Sequence, residues 1–313
     1  MVPWIVQKKG FVHAIAAYVL WGVLPVYWKW LGAVPVLQLL AHRIAWSFLL
    51  LVVVLVATRR LANFRAVAFE RTVVGTFVIS AVLIGINWLT YVWAVNAGYI
   101  VEASLGYFIS PLLHVLLGVL VFRERLRPLQ WLPVAMAAIG VAYLTVTYGR
   151  LPWIALTLAS SFGVYGVVKK LAPLDSLYGL TMETGLLFLP AIVYLVRAAL
   201  SGAGAFALAD TRTDLLLAGA GIATTVPLLL FASAARRVPL SALGIMQYIA
   251  PSLQFLLGVL LYQEAFTSRL AIGFGIVWAG LVIFCVEGQL ARRSAPVSLN
   301  EEVLGATGGK PLP

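Results

Sequence analysis

The chain has 313 residues, of which 62% are hydrophobic and 11% are charged, and its mean hydropathy is +1.00. A soluble domain has about 45–50% apolar and about 25% charged residues, so this composition excludes a soluble globular enzyme and predicts an all-α integral membrane protein. The formal net charge is +11, but the basic residues lie in short clusters between apolar stretches. That pattern is typical of membrane topology, so we predict no nucleic-acid partner.

Ten apolar stretches follow one another along the chain, each near the ~20 residues that a helix needs to cross a bilayer. We predict ten transmembrane helices: Phe11–Trp28, Val34–Ala57, Val73–Asn96, Ala103–Phe122, Leu129–Thr147, Leu151–Val168, Leu177–Val196, Leu215–Ala235, Ser241–Tyr262 and Leu270–Glu287. The first is interpreted as a retained span, since it lacks a clear small-residue cleavage site. Residues 289–313 are polar and are predicted to form a disordered cytoplasmic tail.

The segments between these spans alternate in charge, with sixteen basic residues in one set and five in the other. The richer set is Lys8, Lys9, Arg59, Arg60, Arg65, Arg71, Arg123, Arg125, Arg127, Lys169, Lys170, Arg236, Arg237, Arg292, Arg293 and Lys310. The poorer set is Lys29, Arg150, Arg197, Arg212 and Arg269. By the positive-inside rule, we expect a multi-pass protein of the cell (inner) membrane with both termini in the cytoplasm.

The chain also contains an internal repeat at a shift of 140 residues. Ile109–Glu124 matches Ile249–Glu264 at nine of 16 positions without a gap. This match predicts two copies of a five-helix unit, residues 1–149 and residues 150–288. Because five is odd, the second copy enters the membrane inverted relative to the first. Secondary transporters use such inverted repeats, with the substrate site near the midplane between them.

Several sequence strings resemble RarD-type proteins, which belong to the EamA family of the drug/metabolite transporter superfamily. They are WGVLPVYWK (Trp21–Lys29), LAHRIAWSF (Leu40–Phe48), NWLTYVWAVN (Asn87–Asn96), EASLGYFISPL (Glu102–Leu112) and QYIAP (Gln247–Pro251). The resemblance covers nearly the whole chain except the tail. It implies a ten-helix carrier of small organic solutes that is linked to a proton gradient or another gradient.

Three ionisable side chains stand out inside the spans: His42, Arg43 and Glu183. A charge at the centre of a span costs about 2.5–3.5 kcal/mol, so such residues normally face a cavity or a partner. A shift of 141 residues relates His42 to Glu183, and we expect both to reach one central pocket. We predict that Arg43 and His42 bind substrate and that Glu183 and His42 take part in proton coupling. A buried ion pair or a helix–helix hydrogen bond is the alternative for each.

Amides, aromatic rings and prolines inside the spans complete the predicted site. The further substrate-binding candidates are Asn87, Trp88, Tyr107, Gln247 and Tyr248. Core packing and hydrogen bonds between helices are the alternatives for these residues. Pro111 and Pro251 are repeat equivalents, and we predict that they act as symmetric hinges because proline removes a helical hydrogen bond. Static bends are the alternative.

The sequence therefore predicts a secondary-active transporter that works by alternating access, as a gradient-linked exporter or exchanger. Expected substrates are small organic metabolites, amino-acid-like solutes or drugs. A membrane channel and an intramembrane acid–base enzyme remain alternatives. We find no catalytic, metal-binding or nucleotide-binding motif in the sequence, so we predict no enzyme activity, no metal and no cofactor. Expected partners are the solute, membrane lipid and, if protons drive transport, protons; the protein is expected to be a monomer or weak homodimer.

Overall fold

The computed structural model describes residues 4–97, 99–148, 152–206 and 210–261, with nine further positions between 272 and 286. In these residues the regular structure is helical, without a strand. The helices are α1 (Trp4–Trp30), α2 (Val36–Ala57), α3 (Leu61–Ala68), α4 (Arg71–Asn96), α5 (Ile100–Phe122), α6 (Trp131–Tyr148), α7 (Trp153–Leu171), α8 (Ser176–Leu200), α9 (Thr211–Ala235), α10 (Leu240–Gln247) and α11 (Ile249–Leu260).

Helices occupy each of the first nine predicted spans, with α10 and α11 sharing the ninth. The short helix α3, between the second and third spans, was not predicted. The tenth span lies largely outside the described residues, and so do the tail and the predicted boundary at residues 149–150. Six described segments are long and apolar enough to cross a bilayer: Gln7–Trp30, Val36–Ala57, Arg71–Ala94, Trp153–Leu171, Ser176–Leu200 and Thr211–Ala235. The protein is therefore a helical membrane protein.

The ninth predicted span is divided at Tyr248. Pro251 has no N–H to donate to the carbonyl of Gln247, so the regular hydrogen-bond ladder is interrupted there. The Tyr248 N–H instead bonds the carbonyl of Ile245, three residues back, at 3.3 Å. By contrast, α5 continues through Pro111. The two prolines predicted as symmetric hinges therefore sit in different local structures, one beside a helix break and one inside a continuous helix.

Helices from before and after residue 149 pack mainly against one another. The helix α1 packs on α9 and α11, α2 on α8 and α9, and α5 on α7 and α10. Small residues allow this close approach. A Cβ added at Gly221 would lie 2.7 Å from the backbone carbonyl carbon of Trp46, and one at Gly106 would lie 3.2 Å from the carbonyl oxygen of Ala155. The two halves predicted from the repeat thus interleave rather than forming separate cores.

The turns between helices gather at two ends of the bundle. At one end, which we call the Glu124 end, Glu124 follows α5 and lies 3.3 Å from the Nζ of Lys170, in the last turn of α7. Lys170 also donates to the carbonyl of Val238, in the turn between α9 and α10, at 2.7 Å. The ends of α5, α7 and α9 therefore meet on the same side of the bundle.

The opposite side, which we call the Gln38 end, is held by Gln38 near the start of α2. Its Nε2 donates to the carbonyl of Ala203, and its Oε1 accepts from the N–H of Ala205, both at 2.7 Å. Close by in sequence, Tyr27 near the end of α1 donates to the carbonyl of Leu216, in α9, at 2.5 Å. These bonds join the α1–α2 region to α9 and to the connection between α8 and α9.

Candidate functional site

A cavity of about 380 Å³ lies in the middle of the bundle, between α1, α2, α4, α5, α7, α9 and the break between α10 and α11. Its aromatic lining residues are Tyr18, Trp21, Trp28, Trp88, Tyr91, Tyr107 and Phe162. Its polar lining residues are Arg43, Asn87, Ser110, Thr224, Gln247 and Gln254. A mostly apolar cavity of this size, with a few convergent polar groups, is typical of a small-molecule site.

Arg43 is the charged residue of this lining. Its guanidinium packs against two indole rings, with Cζ 4.7 Å from the ring centre of Trp28 and 5.2 Å from that of Trp88. Its Nε donates to the hydroxyl of Thr224, in α9, at 2.9 Å. Because Thr224 accepts from Nε, the terminal nitrogens are the part of the fork that can meet a ligand.

No described carboxylate forms an ion pair with Arg43, and its terminal nitrogens make no hydrogen bond to a described residue. The charge is therefore stabilised by rings and one hydroxyl, in a setting where the low dielectric strengthens any charge–charge attraction. An anionic group entering the cavity would supply the missing counter-charge. A carboxylate suits this edge because the planar fork can donate two parallel hydrogen bonds to it.

Two amides add neutral polar groups to the lining. The Nδ2 of Asn87 donates to the carbonyl of Leu158 at 2.9 Å and to the hydroxyl of Ser161 at 3.0 Å, which ties α4 to α7. Gln247, at the end of α10, donates from Nε2 to the hydroxyl of Ser110 at 3.0 Å. Its buried Oε1 has no hydrogen-bond partner among the described residues. The cavity wall thus contains an acceptor that a ligand N–H could satisfy.

The structure brings together six of the residues selected from the sequence, and four lie elsewhere. The residues that line the cavity are Arg43, Asn87, Trp88, Tyr107, Gln247 and Pro251. The sequence did not single out Trp28, Ser110 and Thr224, which also line the cavity. Trp28 and Ser110 stand in the strings quoted for the family resemblance, whereas Thr224 lies outside those strings and carries no comparable signal.

His42, Pro111 and Tyr248 do not line the cavity. A step of one residue along a helix turns the side chain by about 100°, so His42 points away from the direction of Arg43. The His42 ring lies 5.4 Å from the ring of Phe206 instead. Tyr248 is buried, and its hydroxyl donates to the carbonyl of Phe108 at 3.0 Å. The prediction that His42 and Tyr248 reach the pocket is wrong in this structure.

Glu183 also lies away from the cavity, in a buried cluster between α4, α7 and α8. Its Oε1 accepts from the Nζ of Lys169 at 2.8 Å and from the hydroxyl of Ser80 at 2.5 Å. Its Oε2 accepts from the hydroxyl of Tyr165 at 3.1 Å. The expectation that the repeat brings His42 and Glu183 to one central pocket is therefore wrong, and the alternative of a buried ion pair describes Glu183.

Lys169 is the residue that sequence reasoning misplaced. Because it stands beside Lys170 at the end of a span, it was counted among the basic residues of a loop. It is 2% exposed and lies in α7. A lysine at the end of a helix normally extends toward water, so the buried carboxylate of Glu183, about two turns into the neighbouring helix α8, explains the burial of Lys169.

The described residues contain no group of three or more His, Cys, Asp or Glu side chains that could hold a metal ion. The chemistry of the cavity is that of recognition: one cation, several rings and a few amides and hydroxyls. No nucleophile with an adjacent base is part of the described lining.

Comparison with known proteins identifies the family. Residues 8–146 match the EamA-like transporter family. An uncharacterized transporter of Vibrio cholerae serotype O1 is 47% identical over 288 residues, which are 92% of this chain and 95% of the relative. The proteins named RarD of Streptomyces exfoliatus and Escherichia coli strain K12 are 43% and 41% identical, over 92% and 91% of this chain and 92% and 97% of their own. The chain belongs to the RarD group of the EamA family.

This membership confirms the resemblance that the sequence strings indicated. The fold of this chain is also similar to that of a solved structure, described only as a crystal structure of a protein, which is 20% identical in sequence. The match has a TM-score of 0.66 and covers 88% of this chain and 97% of that one. Together with the apolar helices, these relatives make the protein a membrane transporter of the drug/metabolite superfamily.

Proposed function

We propose that this EamA protein is a secondary-active transporter of small organic solutes that carry a carboxylate or another anionic group. The observation that supports this most directly is the position of Arg43. Its guanidinium lines the aromatic cavity, and no described carboxylate neutralises it. A cation inside a membrane span is costly when it has no counter-ion, and a binding role accounts for Arg43.

The rest of the lining favours a solute with an apolar body. Seven aromatic residues surround the cavity, and rings of this kind bind flat or branched apolar groups over a large contact area. Gln247 Oε1 and the Asn87 amide add positions for hydrogen bonds. Amino-acid-like metabolites combine these features, and drugs with an anionic head do so as well.

We further propose the architecture that alternating access needs, namely ten spans in two inverted five-helix halves. The sequence repeat and the charge asymmetry of the loops support this arrangement, with both termini in the cytoplasm and the protein in the inner membrane. The cavity is lined by helices from both halves, where an inverted repeat would place a substrate site. Transport would then be driven by a gradient of protons or of the solute itself.

Glu183 is a weaker candidate for coupling than the sequence indicated. Its carboxylate is 2% exposed, ion-paired, and already accepts three hydrogen bonds. A proton carrier must exchange with water during the cycle, and a group enclosed in this way is better suited to hold helices together.

Uptake by proteoliposomes tests the proposed function. A panel of radiolabelled small carboxylates and amino acids is offered with and without an imposed pH gradient. We expect uptake of at least one solute to saturate, to rise with a gradient, and to fall by about tenfold or more in Arg43→Gln. The control variant Arg60→Gln, which removes an exposed ion pair with Asp175, should transport normally. Unsaturable flux would indicate a channel, and chemical conversion of the solute an enzyme.

A further inference from the structure

The cavity reaches one end of the bundle and not the other. Leu31, Gly32 and Val34, in the turn between α1 and α2, line it at the Gln38 end. About 20 Å further along α1, at 1.5 Å per residue, the described lining ends near Tyr18 and Phe162. None of the described turns at the Glu124 end belongs to the lining, so that side is closed in this structure.

Part of the closure is a layer of packed rings beneath the cavity. The rings of Tyr165 and Phe231 stack 6.1 Å apart and only 10° from parallel, and Phe162 lies against both. The hydroxyl of Tyr18 donates to the carbonyl of Leu243, in α10, at 3.1 Å. Helices α1, α7, α9 and α10 would all have to separate here before a solute could pass.

Beyond the rings, Glu124 holds the start of α10. Its Oε1 accepts from the N–H of Leu240 at 2.7 Å. Its Oε2 accepts from the N–H of Ser241 at 2.9 Å and from the Ser241 hydroxyl at 2.7 Å. Pro239, at the N-cap position of α10, provides no side-chain cap. The carboxylate of Glu124 therefore supplies the acceptors and the negative charge that a helix N-terminus favours.

The backbone around Glu124 is shaped for this contact. Arg123 has φ of +52°, a left-handed conformation that an arginine adopts only at a cost, and it turns the chain back at the end of α5. A Cβ added at Gly118 would lie 2.6 Å from Glu124 Oε2 and 2.8 Å from the Ser241 nitrogen. The helices α5 and α10 thus approach so closely that the carboxylate bridges them directly.

Lys170 adds a third helix to the cluster. Its Nζ lies 3.3 Å from Glu124 Oε1 and donates to the Val238 carbonyl at 2.7 Å. Burial on its own raises the pKa of Glu124, but the hydrogen bonds from Ser241 and Leu240 and the charge of Lys170 outweigh burial and hold this pKa below the ordinary value of 4.5. The carboxylate is consequently ionised at neutral pH, so the contacts are charge-assisted.

The same short helix connects this cluster to the cavity. Its first residues, Leu240 and Ser241, are held by Glu124, and its last residue, Gln247, lines the cavity. The break at Tyr248 separates α10 from α11. A movement of α10 would therefore change the Gln247 side of the cavity and the Glu124 contact together, over a distance of about 10 Å.

We propose that Glu124, Lys170 and the N-terminus of α10 form a gate, and that the cavity opens toward the Glu124 end only when Glu124 releases α10. The inference rests on the proposed function, because a gate has a purpose only in a protein that changes the side to which its cavity opens. In the proposed orientation this gate faces the cytoplasm.

Thiol accessibility tests the gate without any transported solute. Cys285, the single native cysteine, is replaced by serine, and Ile84, a buried cavity residue in α4, by cysteine. A membrane-impermeant maleimide is then applied to inside-out or right-side-out vesicles. In the parent protein we expect labelling from the periplasmic side to be faster. In Glu124→Gln, labelling from the cytoplasmic side should rise by about tenfold or more, because charge-assisted hydrogen bonds are lost.

The matched control is Arg60→Gln, which removes an exposed ion pair with Asp175 at the same end and should leave labelling unchanged. Lys170→Met should also raise cytoplasmic-side labelling, because it removes the cation that contacts Glu124. If Glu124→Gln does not fold, Lys170→Met tests the gate in its place. A single symmetric peak in size-exclusion chromatography and a cooperative thermal transition like that of the parent show that a variant is folded. Unchanged cytoplasmic-side labelling in a folded variant would overturn the gate, whatever the proteoliposome uptake shows. Failure of uptake alone would count against the proposed function and not against the gate.

Discussion

The ion pair between Lys169 and Glu183 provides a quantitative test of what holds the helices together. Both side chains are almost fully buried, 3% and 2% exposed. Lys169→Met leaves a buried carboxylate without its cation, and breaking such a pair costs about 3–5 kcal/mol. Glu183→Gln leaves a buried ammonium and should cost a similar amount. In the double variant no charge remains, and the Gln amide can still accept from Ser80 and Tyr165. We therefore expect the double variant to be more stable than either single variant.

The assay is equilibrium unfolding of the purified protein in mixed micelles, followed for wild type, both single variants and the double variant. Arg60→Gln, which breaks an exposed pair, is the control and should unfold like wild type. The reasoning is refuted if Lys169→Met is as stable as Arg60→Gln, or if the double variant loses the sum of the two single losses. Additive losses would mean that the two charges do not interact.

Further predictions concern packing, pH and the cavity. Gly221→Ala should destabilise the protein by about 1–3 kcal/mol, since its Cβ would meet the backbone of Trp46, whereas Gly75→Ala, with open space around it, should be neutral or stabilising in the same unfolding assay. Because the folded-state pKa of Glu124 is lowered, its contribution is present at neutral pH and is lost as the pH falls through that pKa, below 4.5. The ratio of cytoplasmic-side to periplasmic-side thiol labelling, in which the pH dependence of the thiolate fraction cancels, should therefore be constant between about pH 8 and about pH 6 and rise only in more acidic buffer. Gln247→Leu should weaken binding of solutes that carry an N–H group by about tenfold, measured by isothermal titration, and leave solutes without one unaffected.

The positions of the helices could be predicted from the sequence because each membrane span must be a long apolar run. Arg43 could be predicted as a cavity residue because a charge inside a span needs a reason to be there. The amides Asn87 and Gln247 followed from the same argument. For these residues, the free-energy cost of placing a polar side chain in lipid is enough to predict that the side chain faces the protein interior. That prediction does not require knowledge of how the helices pack.

The direction in which each side chain points could not be predicted in the same way. In a membrane bundle, the face toward lipid and the face toward protein are both apolar, so the helical period of hydrophobicity that orients a helix in a soluble protein is weak. His42 and Arg43 are therefore indistinguishable by pattern, although they face different surroundings. Lys169 shows the complementary problem, because a buried lysine at a helix end has the same sequence context as an exposed one.

The central claim is that Arg43 recognises the anionic group of the solute, and a matched pair of ligands tests it most directly. Once uptake has identified a carboxylate substrate, equilibrium binding of that carboxylate is compared with binding of its primary amide, for wild type, Arg43→Lys and Arg43→Gln. We predict that wild type prefers the carboxylate by about tenfold or more, that Arg43→Lys retains part of this preference, and that Arg43→Gln loses it. Equal binding of the two ligands by wild type, or an undiminished preference in a folded Arg43→Gln, would contradict the claim.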